Sequence, residues 1–278
     1  MLTWVYARRG DNATLNWEYV LVGFIVGTCI AYSGVGAGAL TTPLLVLFLG
    51  VGTDVAIGSD LLFALGTKLV AMIAHVQRRN VQPSVLWRLS LGGLPGAIVG
   101  VTISAHLHRV LDLHQLEHTL RIAVAAALLL SAAVIFFNRK LAADIGNGIR
   151  KDNFPTFQIA IIGFFVGLTV SITSIGAGSL TLPLLLLVVP AIALRRLVGT
   201  DVAFAIVVLI PSLLGHLSIG DVNFKLAGML LLGSVPGVFV GSHLVTKLPE
   251  RWFRGALATV LVVVAIFLLP IKLHLPHS

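Results

Sequence analysis

The sequence predicts an all-α polytopic membrane protein made of two inverted repeats, each a glycine-tipped helical hairpin plus three crossing helices. Three observations carry this expectation. Of 278 residues, 57% are hydrophobic and only 11% are charged, under half the roughly 25% charge of a soluble domain, so lipid must solvate most of the chain. The apolar residues come in long blocks separated by short polar loops, which leaves no room for a soluble catalytic domain. Finally, a shift of 140 positions aligns Gly23 to Leu45 with Gly163 to Leu185, with 12 identities in 23 positions.

The elements follow in order. The first repeat, residues 1–137, has an apolar run over 17–32, a glycine break, a short run over 39–50, and fuller runs over 57–76, 86–104 and 117–137. A polar linker over 138–156 precedes the second repeat, 157–278, with runs over 157–172, 179–190, 197–217, 225–244 and 252–270. A 12-residue helix rises only about 18 Å, against a hydrocarbon core of about 30 Å. The first two segments of each half are therefore expected to form a hairpin with its glycine-rich tip inside the membrane. At a shift of 141, Gly58-Ser59-Asp60 meets Gly199-Thr200-Asp201, His75 meets His216, and Leu91–Gly100 meets Leu232–Gly241. Residues 1–17 carry Arg8 and Arg9 but no small-residue cleavage pattern, so they read as a mature N-terminus and not a removed signal peptide.

Net charge is +8, but the basic residues lie beside apolar runs, which fits membrane topology better than nucleic acid. Inverted halves put 12 basic residues on one side and six on the other, whereas parallel halves give 11 and seven. Equivalent loops discriminate better. Arg78 and Arg79 face a counterpart loop bearing Asp221, while Arg195 and Arg196 match a loop with no basic residue. Inverted repeats must alternate in this way under the positive-inside rule, with the linker cytoplasmic and both termini outside.

Candidate site residues cluster at the tips. Gly34, Gly36 and Gly38, and Gly176 and Gly178 with Ser174 in place of the first glycine, permit close backbone approach ahead of a helix start. Helix starts present N–H groups and the positive end of the dipole to an anion. Ser33, Thr41, Thr42, Thr173, Ser174, Ser179 and Thr181 add hydroxyl donors, and Pro43 and Pro183 sit early in each short helix. The competing explanation is that small residues merely allow tight crossing. Tips interrupting short segments at corresponding positions in both halves favour a substrate site.

On the third segment Asp60, Thr67, Lys68, Ala71 and His75 share a stripe about 100° wide. Its counterpart carries Asp201, Ser212 and His216. Ionisable groups in a bilayer are functional candidates, so Asp60, Asp201, His75 and His216 are candidate pathway or coupling residues. Lys68 is a candidate counter-charge for an anion, unless it pairs with Asp60 or snorkels. The ladders Gly92, Gly96, Gly100 and Gly233, Gly237, Gly241 read as close-packing surfaces without chemistry. Cys29 has no second cysteine to pair with, and the scattered histidines give neither a catalytic constellation nor a metal set. No cofactor, catalytic residue or metal is expected; the partners are a small anionic substrate and the bilayer, and oligomeric state is not legible.

The motifs GVGAGALTTP (Gly34 to Pro43) and SIGAGSLTLP (Ser174 to Pro183), with the segment Gly215 to Val245, resemble the sulfite exporter TauE/SafE family of permeases. Members carry G-x-G-G-G-x-x-x-x-P in each half. Here Ala37 and Ala177 replace the middle glycine, and Asp60 and Asp201 stand where a serine is more usual. The resemblance implies a secondary permease of the inner (plasma) membrane for sulfite, thiosulfate, sulfoacetate or a related anion, with both tips, Ala37 and Ala177 included, forming the site. The two carboxylates leave open a cation- or proton-coupled transporter of another small solute, and an anion channel is the other alternative.

Overall fold

A computed structural model of the chain describes residues 17–33, 38–77, 79–137, 155–189, 192, 194–244 and five positions between 259 and 266. The expected N-terminal segment, most of the linker and most of the run at 252–270 lie outside the described residues, as do positions 34–37 of the first tip. The described elements are α1 (Trp17–Ser33), α2 (Gly38–Leu49), α3 (Thr53–Gln77), α4 (Pro83–Val110), α5 (Leu113–Phe137), α6 (Thr156–Thr173), α7 (Thr181–Val188), α8 (Leu194–Ile219) and α9 (Phe224–Leu244). No strand occurs among the described residues. Four of the helices, α3, α4, α6 and α8, are long and apolar enough to cross a membrane.

Local chemistry sets the helix limits. Pro83 opens α4 at a position where its missing N–H costs nothing, with Gln82 extended before it. Asp112 accepts the Gln115 N–H at 2.8 Å and Asn223 accepts the Leu226 N–H at 3.0 Å, so side-chain oxygens satisfy otherwise orphaned donors at the starts of α5 and α9. The run at 179–190 contracts to the eight residues of α7, and at its start the N–H groups of Leu180 and Thr181 both turn back to the Gly176 carbonyl, at 2.9 and 3.3 Å.

The glycine ladders behave as packing surfaces. α4 lies along α6 and α1 along α9. A Cβ at Gly92 or Gly96 would strike the carbonyls of Ala160 or Phe164, and one at Gly233 or Gly237 those of Val20 or Phe24. The fit is reciprocal: Gly163 and Gly167 lie on Leu89 and Gly93, and Gly23 and Gly27 on Leu230 and Ser234. Small residues on both partners let backbones approach until dispersion and weak Cα–H···O contacts replace side-chain packing. Each half thus lends its first helix to the fourth helix of the other.

At the centre, α3 packs on α8. Gly58, near the start of α3, lies against the Asp221 carbonyl just beyond α8, and Gly199, near the start of α8, lies against the Asn80 carbonyl just beyond α3. The two helices therefore run antiparallel. Ser59 Oγ accepts the Asn223 N–H at 2.9 Å, and Thr200 Oγ1 accepts the Gln82 N–H at 2.9 Å. These matched clasps hold α3 and α8 between the loops of the opposite half. Phe63 and Phe204, equivalent residues at the 141 shift, are both fully buried, and the Phe204 ring lies against Gly93 of α4. Outward, Leu69, Val70, Ile73, Ile98, Phe165, Leu232 and Phe239 are exposed, as a lipid-facing surface requires.

Candidate functional site

The tip of the second half is built by a reversal of backbone hand. α6 ends in Ser174, whose φ of 59° is left-handed, and Gly176 and Gly178 follow at φ of 142° and 92°. L-residues with a Cβ avoid these angles, which explains the glycines. Ser174, which stands where the first half has Gly34, accepts the left-handed geometry while its hydroxyl reaches into the first half: Ser174 Oγ donates to Asp60 Oδ2 at 2.7 Å.

Asp60 is fully buried. Its Oδ2 also accepts from Thr42 Oγ1 at 3.2 Å, and the Thr41 hydroxyl is a third neighbour. Among the described residues its Oδ1 meets no hydrogen-bond donor. Gly38, which opens α2, packs against the Ser174 carbonyl and beside the Asp60 carboxylate. The described end of the first tip and the start of the second therefore touch, with Asp60 between them.

Asp201, the equivalent carboxylate, is also buried but has both oxygens engaged. Oδ1 accepts the Gly178 N–H at 3.1 Å, and Oδ2 lies 3.4 Å from Lys68 Nζ. Lys68 thus pairs neither with Asp60 nor with an interface but with the carboxylate of the opposite half. Two charges withdrawn from water are tolerable only when paired and hydrogen-bonded, and the glycine N–H supplies the extra bond.

The second tip is largely satisfied from within. Besides Gly178, the Ile175 N–H bonds Thr173 Oγ1 at 3.1 Å, Thr173 Oγ1 bonds the Thr169 carbonyl at 2.7 Å, and Thr181 Oγ1 bonds the Gly176 carbonyl at 3.3 Å. Ala177 and Ser179 are buried in the same turn. Gly34, Gly36 and Ala37 lie outside the described residues, as does the side chain of Ser33. His75 occupies the last turn of α3. His216 sits near the end of α8, with Nε2 at 2.8 Å from the Ser171 carbonyl and Nδ1 at 3.3 Å from Asp221 Oδ2. Asp221 itself escaped the sequence reading except as a loop charge. The signal that could have found it is its place directly after the helix carrying Asp201 and His216.

Comparison with known proteins shows the family. No solved structure matches. Among curated proteins of Bacillus subtilis (strain 168), the chain is 31% identical over 252 residues to "Probable membrane transporter protein YjnA", covering 90% of this chain and 98% of that protein. It is 26% identical to "Probable membrane transporter protein YunE", covering 90% and 94%, and 23% identical to "Probable membrane transporter protein YdhB", covering 86% and 94%. The profile described as "Sulfite exporter TauE/SafE" matches residues 19–268, and this multi-pass helical chain belongs to that family of membrane transporters.

Proposed function

We propose that this transporter carries a small anion, a sulfur oxyanion or organosulfonate such as sulfite, thiosulfate or sulfoacetate, together with a proton held on Asp60. The binding residues in this reading are those of both tips, Ser33 to Thr41 and Thr173 to Thr181, with Lys68. One observation carries it: the charge balance between the tips, where Asp201 already neutralises Lys68 and Asp60 keeps one oxygen without a donor among the described residues. An anion about 5 Å from an ionised Asp60 would be repelled by about 3 kcal/mol at an effective dielectric of about 20. A proton on Asp60 removes that repulsion and converts Oδ1 into a hydroxyl that donates to the anion. Because Gly178, Leu180 and Thr181 already use their N–H groups internally and Lys68 is held by Asp201, a protonated Asp60 bears more of the recognition here than the helix start does.

In this reading the halves are inverted, with the linker cytoplasmic, both termini outside and the chain in the inner (plasma) membrane. The antiparallel course of α3 and α8 and the loop charges support it, and one half rocking against the other around the tips would give alternating access.

The test uses purified protein in proteoliposomes with a monovalent sulfonate as substrate. One proton per anion is electroneutral, so uptake should follow an imposed pH gradient and ignore a potential clamped with valinomycin. A uniported anion would instead feel about 2.3 kcal/mol per 100 mV. Uptake that follows potential and ignores pH refutes the coupling. Competition by carboxylates or divalent cations, without competition by sulfur oxyanions, refutes the substrate class.

A further inference from the structure

Beyond the tips, at the end of the bundle where α3 begins and α4 and α8 finish, Asp54, His108 and Asp221 each present one donor atom, all within 4.8 Å of one another. They come from three separate elements: the first turn of α3, the last turn of α4, and the loop between α8 and α9. Asp221 is buried and His108 nearly so, with 15% of its side chain exposed.

The two histidines around Asp221 share one arrangement. His108 Nδ1 is 2.8 Å from the Ser104 carbonyl, and His216 Nε2 is 2.8 Å from the Ser171 carbonyl. A carbonyl can only accept, so each of these nitrogens carries the proton, and the neutral tautomer leaves a lone pair on the other nitrogen. Both remaining nitrogens face the same oxygen, Asp221 Oδ2, at 3.0 Å from His108 and 3.3 Å from His216. Lone pairs aimed at a buried carboxylate repel it, so either a second ring proton, as the His216 geometry allows, or a metal cation must lie among them. The His108 contact also lies off the line that a hydrogen bond requires, since Nε2 has no hydrogen-bond partner despite the short separation.

We propose that Asp54, His108 and Asp221 form a binding site for a divalent transition-metal ion of the Zn2+ class, with His216 bracing Asp221. Metal-binding histidines characteristically give their other ring N–H to a backbone carbonyl or carboxylate, which fixes the ring and its tautomer. Ligands of such an ion lie at about 2.0–2.2 Å from it, so donor atoms a few ångströms apart and off hydrogen-bonding line suit a shared ion. Imidazole nitrogen disfavours Mg2+ and Ca2+, which take oxygen ligands. Three protein ligands leave a fourth position for water. The site is also absent from the equivalent place in the duplicated pattern: at the 141 shift Asp54 becomes Arg195 and Asp221 becomes Asn80. Ordinary repeat packing therefore does not demand these carboxylates. An ion there would bridge the first half to the second at one end of the bundle.

The experiment is calorimetric titration of ZnCl2 into chelator-stripped, detergent-purified full-length protein at pH 7.5, with MgCl2 and CaCl2 as controls. The expected result is saturable binding of one Zn2+, none of Mg2+ or Ca2+ at the same concentration, and at least a tenfold loss of affinity in His108→Gln and Asp54→Asn. His106→Gln, an exposed histidine on the same helix, should bind as the parent does. X-ray absorption of the Zn2+-loaded parent protein should give a nitrogen and oxygen shell with imidazole scattering, a readout independent of whether any variant folds. No saturable Zn2+ binding by the parent protein, a shell without imidazole, or unchanged affinity in a folded His108→Gln overturns the proposal; the first of these would mean that protons alone hold the cluster.

Discussion

Asp60 and Asp201 are equivalent residues of the two halves, and their surroundings differ in one decisive respect. Asp201 has both oxygens engaged, by a lysine and a backbone N–H, whereas Asp60 has one oxygen held by hydroxyls of both halves and the other without a donor among the described residues. Lys68 accounts for the difference, because its counterpart in the second half is Leu209. A duplicated pair can thus separate into a carboxylate with both oxygens engaged and one with only a single oxygen held. The lesson is that pseudo-symmetry in the backbone does not imply symmetry in the chemistry.

The largest expected effect breaks the Asp201 side. Lys68→Met leaves Asp201 buried and unpaired, which costs about 3–5 kcal/mol and should appear as a large fall in the thermal midpoint of the detergent-solubilised protein. Adding Asp201→Asn should restore most of it; if the double variant is no more stable than the single, the ion pair is not what holds that carboxylate. Gly178→Val comes next, since a β-branched residue at a φ of 92° costs about 1–3 kcal/mol and displaces the N–H that Asp201 accepts. Transport in proteoliposomes should be lost while the protein still expresses, and normal transport would make the tip a packing element only.

Asp60→Asn sharpens the comparison from the other side. It keeps an oxygen for Ser174 and Thr42 but cannot exchange a proton, so pH-driven uptake should fall about tenfold or more, a barrier increase of about 1.4 kcal/mol or more, and the remaining flux should no longer respond to the pH gradient. A retained pH response would place the proton elsewhere. Smallest are the clasps: Ser59→Ala and Thr200→Val each remove one acceptor from a backbone N–H, worth about 1 kcal/mol. Similar destabilisation in the two variants, read by thermal unfolding, would confirm that this part of the duplication stays energetically symmetric.

Much of this was legible in the sequence, because repeats, glycine ladders and apolar runs are local patterns. The pairing of Lys68 was not. The helical stripe placed it on one face with Asp60, but eight residues of helix separate them by about 12 Å along the axis, too far for an ion pair. The true partner lies on α8, and only the packing of two distant segments reveals it. Ser174 was legible as a hydroxyl donor in place of the first glycine, but that it donates to Asp60 depends on the packing of one half against the other. Asp54, His108 and Asp221 sit on three elements with no shared spacing, so no periodicity could have assembled them.

The reciprocal lending of helices also bears on biosynthesis. α1 is made before α9, yet the backbone groove into which it fits belongs to α9, and the Asn223 N–H that Ser59 receives belongs to the loop before that helix. The first half therefore reaches the lipid with the glycine face of α1 uncovered and must wait for α9 before that face can close. Its completion is a late event in insertion, and a ribosome stalled after α5 would leave a half whose glycine edge is free to seize the wrong neighbour.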